Sequence, residues 1–149
     1  KFAIERYGLS VQQIVQAKRG EDVELETGEV LANELITYRP YGTLSYAYCS
    51  DTNYSARLAK MVEGVDMLYH EATYAAELRK LAKERGHSTT ADAAKVAQMA
   101  GAGRLIIGHF SARYKELTPL LDEARELFPS TDLAREGETF MIEPKPQKQ

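Results

Sequence analysis

Three short apolar runs separated by helix-patterned stretches constrain this chain more than any other feature. Residues 44–49, 65–69 and 105–107 are compact, mostly apolar and four to eight residues long or shorter, the signature of strands buried inside a sheet. Between and after them the spacing becomes helical. Leu58, Met61 and Val62 share one face of a helix over 55–62, and a second helix over 75–83 stops near Gly86. A third, over 91–100, is capped by Thr89 or Thr90, carries Asp92 in its first turn and ends at Gly101-Ala102-Gly103. A fourth covers 117–128, and a last short strand is predicted over 139–142. This alternation predicts an α/β fold with a largely parallel sheet. Upstream, Ser10 caps a helix over 11–18 that Gly20 ends. Residues 23–25 and 30–33 read as a hairpin around Thr27-Gly28, and Arg39-Pro40-Tyr41-Gly42 as a turn.

Each buried strand runs into a polar cluster: Asp51 after the first, His70 and Glu71 after the second, His109 after the third. Ligands bind open α/β sheets at the carboxyl ends of their strands, so Asp, Glu and His side chains converge on one sheet edge. The chain has 149 residues, 44% of them hydrophobic and 28% charged, enough for a real core. No apolar run reaches the length of a membrane span, so no membrane partner is expected. The lone Cys49 has no internal disulfide partner and fits a reducing cytoplasm. The net charge of −3 argues weakly against a nucleic-acid partner, although Lys80, Lys83 and Arg85 precede His87, and Arg113 and Lys115 follow His109. Such cations serve equally well as solvated helix and loop ends. The start, Lys1-Phe2-Ala3-Ile4, reads as a cut or boundary rather than a signal peptide.

Four motifs hold all three histidines: Ser50-Asp51-Thr52, His70-Glu71-Ala72-Thr73, Gly86-His87-Ser88-Thr89, and Gly108-His109-Phe110-Ser111-Ala112-Arg113-Tyr114. In this order, each after its strand or before its helix, they resemble the carboxyl half of ribonuclease Z, of the metallo-β-lactamase superfamily. The resemblance runs from about Val23 to the end. It implies half of an αββα sandwich, with a mixed sheet, helices on one face over residues 1–143, and a tail over 144–149. It also implies a zinc-dependent endoribonuclease that removes 3′ trailers from precursor tRNA, cytoplasmic and a homodimer when intact.

By the same resemblance, Asp51 bridges two zinc ions and His109 binds one of them. On spacing alone Asp51 reads as a helix cap, and His109 as a hydrogen-bonded strand-end residue. The resemblance makes His87 and Glu71 the catalytic pair, with His87 protonating the departing ribose 3′ oxygen. A carboxylate beside an imidazole orients it and favours its charged form, and the HST turn at a helix amino terminus favours a phosphate. Whether Glu71 touches His87 is open in the sequence. His70 reads as a structural, hydrogen-bonded residue. Ser88, Thr89 and Arg113 are candidates for contact with RNA, and Arg113 serves equally well as a brace for the loop behind His109.

A dinuclear zinc site takes about six or seven protein ligands, and the superfamily's His-x-His-x-Asp-His cluster does not occur in these residues. The chain alone is therefore expected to bind no zinc tightly, to be inactive, and to bare the inner face of its sheet. Three competing readings are another hydrolase on the same scaffold, a non-catalytic degenerate half of a long-form enzyme, and a small α/β binding domain.

Overall fold

The computed structural model describes residues 2–37 and 43–142. The turn expected at 39–42 and the tail at 144–149 lie outside them. Contacts within the chain divide it into one unit up to Gly42 and another from Thr43 to Pro144.

In the first unit, helix α1 (Phe2–Tyr7) precedes α2 (Val11–Lys18). Ser10 and Gln13 form a reciprocal capping box at the start of α2, as the serine predicts. Strands β1 (Val23–Glu24) and β2 (Val30–Leu31) pair antiparallel, followed by a single turn, α3 (Asn33–Ile36). Leu9, Ala17, Val23 and Leu31 make a small core of their own. Buried Asn33 pins its surroundings by donating to the carbonyls of Ala17 and Glu21 at 2.7 and 2.9 Å.

The second unit is a four-stranded sheet, β3 (Tyr46–Cys49), β4 (Met67–Glu71), β5 (Arg104–Gly108) and β6 (Thr131–Leu133), in that spatial order and parallel throughout. Helices α4 (Ala56–Met61), α5 (Arg79–Arg85), α6 (Thr90–Ala100) and α7 (Thr118–Leu127) fill the connections. The pattern of α6 explains the core. Ala93, Ala94, Val96, Ala97 and Ala100 are all buried, and these small side chains let the helix approach Leu68, Leu105 and Ile107 of the sheet. Alternation along the strands sends Tyr46, Tyr48 and Tyr69 to the opposite face. There Tyr46 and Tyr48 stand exposed, and Tyr48 stacks on Tyr69 with ring centroids 4.6 Å apart.

Two expectations need correction. Residues 139–142 form no strand: Phe140 and Met141 imitate one by composition, but their backbone pairs with nothing described. The fourth strand is Thr131–Leu133, whose partly polar Thr-Asp-Leu sequence hides it. Residues His70 and Glu71 also lie within β4, as its last two members, rather than beyond it.

Candidate active site

The carboxyl ends of β3, β4 and β5 meet the turn that opens α6. Asp51, Glu71, His87 and His109 each bring one ligand-type atom into a group within 4.8 Å of one another. Three local devices create this meeting. Register pairs Glu71 with Gly108, placing His109 just past the end of β4. Gly86, in the left-handed region at φ 81°, ends α5 and turns His87 back toward the sheet. Thr89 and Asp92 then cap α6 reciprocally, fixing where the HST turn stops.

Glu71 is the hub. Its side chain is fully buried and accepts four hydrogen bonds. Oε1 takes the Thr52 amide at 2.8 Å and His87 Nδ1 at 3.0 Å. Oε2 takes the Thr73 hydroxyl at 2.6 Å and the Ser88 amide at 3.1 Å. Burial pushes its carboxyl up, but these four donors outweigh burial and hold it below the usual carboxylate range. With both oxygens occupied, Glu71 is no free metal donor; it orients His87. Since a carboxylate only accepts, His87 Nδ1 carries the proton and Nε2 is the nitrogen left for other chemistry.

The Thr73 hydroxyl fixes the second histidine. Its single proton goes to Glu71, so toward His109 Nδ1, 2.9 Å away, it can only accept. In neutral His109 the lone pair therefore sits on Nε2, which faces Asp51 Oδ1 at 3.4 Å. Either a proton on Nε2, completing an ion pair with Asp51, or a bound cation fills that gap. That donor chemistry fits a metal ion. It also fits only part of a closed site, because zinc wants four ligands, this pair offers two, and His87 Nε2 adds a third at most. Among the described residues, Asp51 and His109 are also the non-glycine residues with positive φ, at 50° and 60°. Such backbone costs about 1–3 kcal/mol per residue and clusters at functional positions.

Asp51 is not the cap of α4: Ser55 is, its side chain accepting from the Leu58 amide at 3.2 Å. Ser88 and Thr89 need correction as RNA contacts. Both are fully buried with their hydroxyls engaged, Ser88 donating to the Thr52 carbonyl at 2.6 Å and Thr89 to Asp92 Oδ2 at 2.8 Å. They build the turn rather than present it. Arg113 is exposed, bonded to Ser111 Oγ at 3.3 Å and lying over the Tyr74 ring at 5.1 Å, and Tyr74 meets His87 edge-on. Thr52, Thr73 and Tyr74 carry no site signal of their own in the sequence, although Thr73 closes the HEAT tetrapeptide.

His70 is buried, and its Nδ1 donates to the Glu71 carbonyl at 2.7 Å, which leaves Nε2 unprotonated and without a partner. Burial lowers its pKa. Folded-state pKa values of His70 and Glu71 both lie below their ordinary values of 6.5 and 4.5, so the unfolded chain takes up protons first. The stability they contribute is present above these values and is lost as pH falls through them. Urea midpoints of the metal-free chain should drop below about pH 6.5 and again below about pH 4.5. A midpoint flat or rising on acidification across both windows would contradict these assignments.

No family model matches the chain. The ribonuclease Z of Parabacteroides distasonis is 44% identical over 131 residues, 88% of this chain and 43% of that protein. The ribonuclease Z of Cytophaga hutchinsonii is 44% identical over 135 residues, 90% of this chain and 43% of that protein. The chain thus spans less than half the length of these curated relatives. Among solved structures, a metallo-β-lactamase fold protein from Bacillus subtilis superposes with a TM-score of 0.58 at 25% identity, over 65% of this chain and 40% of that one. A long-form RNase Z from yeast superposes with a TM-score of 0.51 at 29% identity, over 58% of this chain and 12% of that one.

Proposed function

From a chain that is ribonuclease Z-like over nine-tenths of its length and built on the metallo-β-lactamase fold, we propose one part of a zinc-dependent endoribonuclease that cuts 3′ trailers from precursor tRNA. The observation that carries this reading is the pairing of two differently prepared histidines. His109 Nε2 offers a lone pair toward Asp51, and His87 Nε2 stands beyond a Glu71-bound Nδ1–H. Their rings are 5.3 Å apart, close enough to serve one phosphodiester.

Asp51 and His109 would hold zinc. Bound zinc supplies Lewis acidity, which offsets phosphate charge and makes water a nucleophile at neutral pH. The chain's own contribution is on the leaving side. Glu71 holds His87 in one orientation through its Nδ1–H. His87 then delivers the Nε2 proton to the ribose 3′ oxygen as the phosphorus–oxygen bond breaks. The products are a tRNA ending in a 3′ hydroxyl and a trailer with a 5′ phosphate. Arg113, exposed and lying over Tyr74, would meet a phosphate at the rim.

Residues 1–143 are proposed to belong to one such half, completed by the His-x-His-x-Asp-His cluster that these residues lack, in a cytoplasmic homodimer. The chain alone is then inactive. The intact protein should release 3′ trailers from precursor tRNA; equal or better turnover of a simple aryl phosphodiester would favour a different hydrolase on this scaffold. Replacing His87 by Ala should lower kcat about 10²–10⁴-fold while zinc content is kept.

A further inference from the structure

A pocket of about 300 Å3 opens beside His87, lined by Asn53, Tyr54, Arg79, Lys83, His87 and Asp92. Its walls are the loop after β3, one face of α5, the HST turn and the first turn of α6. Arg79 and Lys83 are four residues apart on α5 and so project from the same face. Arg79 pairs with Asp92 at 2.8 Å, and Asp92 is itself fixed by its cap on Thr89. These two charges cancel. Lys83 is exposed and adds a further positive charge, so the pocket is net cationic on a chain that is net anionic. Tyr54 is a rigid wall: its hydroxyl meets Met99 Sδ at 3.3 Å, and Lys95 lies over its ring at 5.3 Å. Exposed Asn53 adds a side-chain donor and acceptor at the rim.

We infer that this pocket is a nucleotide subsite that seats the residue keeping the 3′ hydroxyl after cleavage. This rests on the reading of His87 as the group that protonates the leaving oxygen. Asp51 and His109 define the nucleophile's side of the phosphorus, and His87 the leaving side. The nucleotide attached through its 3′ oxygen must then lie on the His87 side, where this pocket is. Its ribose and base rest against Tyr54 and Asn53, and its 5′ phosphate meets Lys83, with Arg79 beside it.

The test uses adenosine 5′-monophosphate as probe, with NMR of this chain. Side-chain resonances of His87, Asn53 and Tyr54 should shift together, and Lys83→Glu should weaken binding about tenfold. Inorganic phosphate at the same concentration giving the same shifts, no shift with the nucleotide, or an unaffected Lys83→Glu would each overturn the subsite. In the intact protein, Lys83→Ala should raise KM for precursor tRNA and lower the salt slope of binding by about one. If the nucleotide binds as described and no precursor tRNA is cut, the pocket remains a nucleotide site, while the nuclease reading and the assignment of the pocket to the cleaved strand both fall.

Discussion

Replacing Asp51 by Gly should abolish activity of the intact protein and leave the fold as stable as before, or more so. The two readouts separate because Asp51 does two unlike things. Its side chain is exposed and meets His109 Nε2 at 3.4 Å, so little packing is lost with it. Its backbone sits at φ 50°, where a side chain costs energy and glycine does not. Relief of that strain is worth about 1 kcal/mol, partly offset by the greater freedom of glycine in the unfolded chain. Against this, metal catalysis of phosphoryl chemistry supplies several kcal/mol, at about 1.4 kcal/mol per tenfold, so a rate loss of about 10³-fold or more is expected. Thermal melts in chelator, zinc content and kcat on one preparation decide the matter. A protein that melts well below the parent yet keeps its zinc and its rate would show Asp51 to be structural.

Replacing Glu71 should have the opposite signature. Removal to Ala strands the Thr52 and Ser88 amides and the Thr73 hydroxyl in a buried place, and frees His87. Breaking such a buried charged network costs about 3–5 kcal/mol. That is a large part of the roughly 5–15 kcal/mol that holds a domain together. Partial unfolding or insolubility is expected for Glu71→Ala. Glu71→Gln keeps the shape but turns an NH2 group toward two of the donors, so it should lose about 1–3 kcal/mol. Urea unfolding measures both, and a Glu71→Ala chain within about 0.5 kcal/mol of the parent would contradict the hub.

The contrast between these residues shows what the sequence could and could not reveal. Signals confined to a few neighbours were legible: Ser10 with Gln13, Thr89 with Asp92, and the helix stop at Gly86 all act within one turn. So was the convergence of strand ends, because parallel strands in register must deliver Asp51, Glu71 and His109 to one edge. What failed depended on distant partners. Asp51 looked like a helix cap because Asp is a good cap, and only the folded loop gives that task to Ser55. Ser88 and Thr89 looked like phosphate donors because local sequence carries no record of burial. Thr73 passed unnoticed, since its function needs Glu71 and His109 on either side of it, 36 residues separating it from the latter. Strand β6 escaped because a three-residue parallel edge strand has too few apolar positions to show a period.

Zinc content of this 149-residue chain, measured after equilibration with zinc and exhaustive dialysis, tests the half-site most directly. With Asp51, His109 and His87 Nε2 as its free donors, and Glu71 saturated by four hydrogen bonds, the chain falls short of a closed four-ligand site and should retain less than one zinc. Two zinc ions held by each chain would mean that it carries a whole metal centre, and the division of the site argued from these four side chains would be wrong.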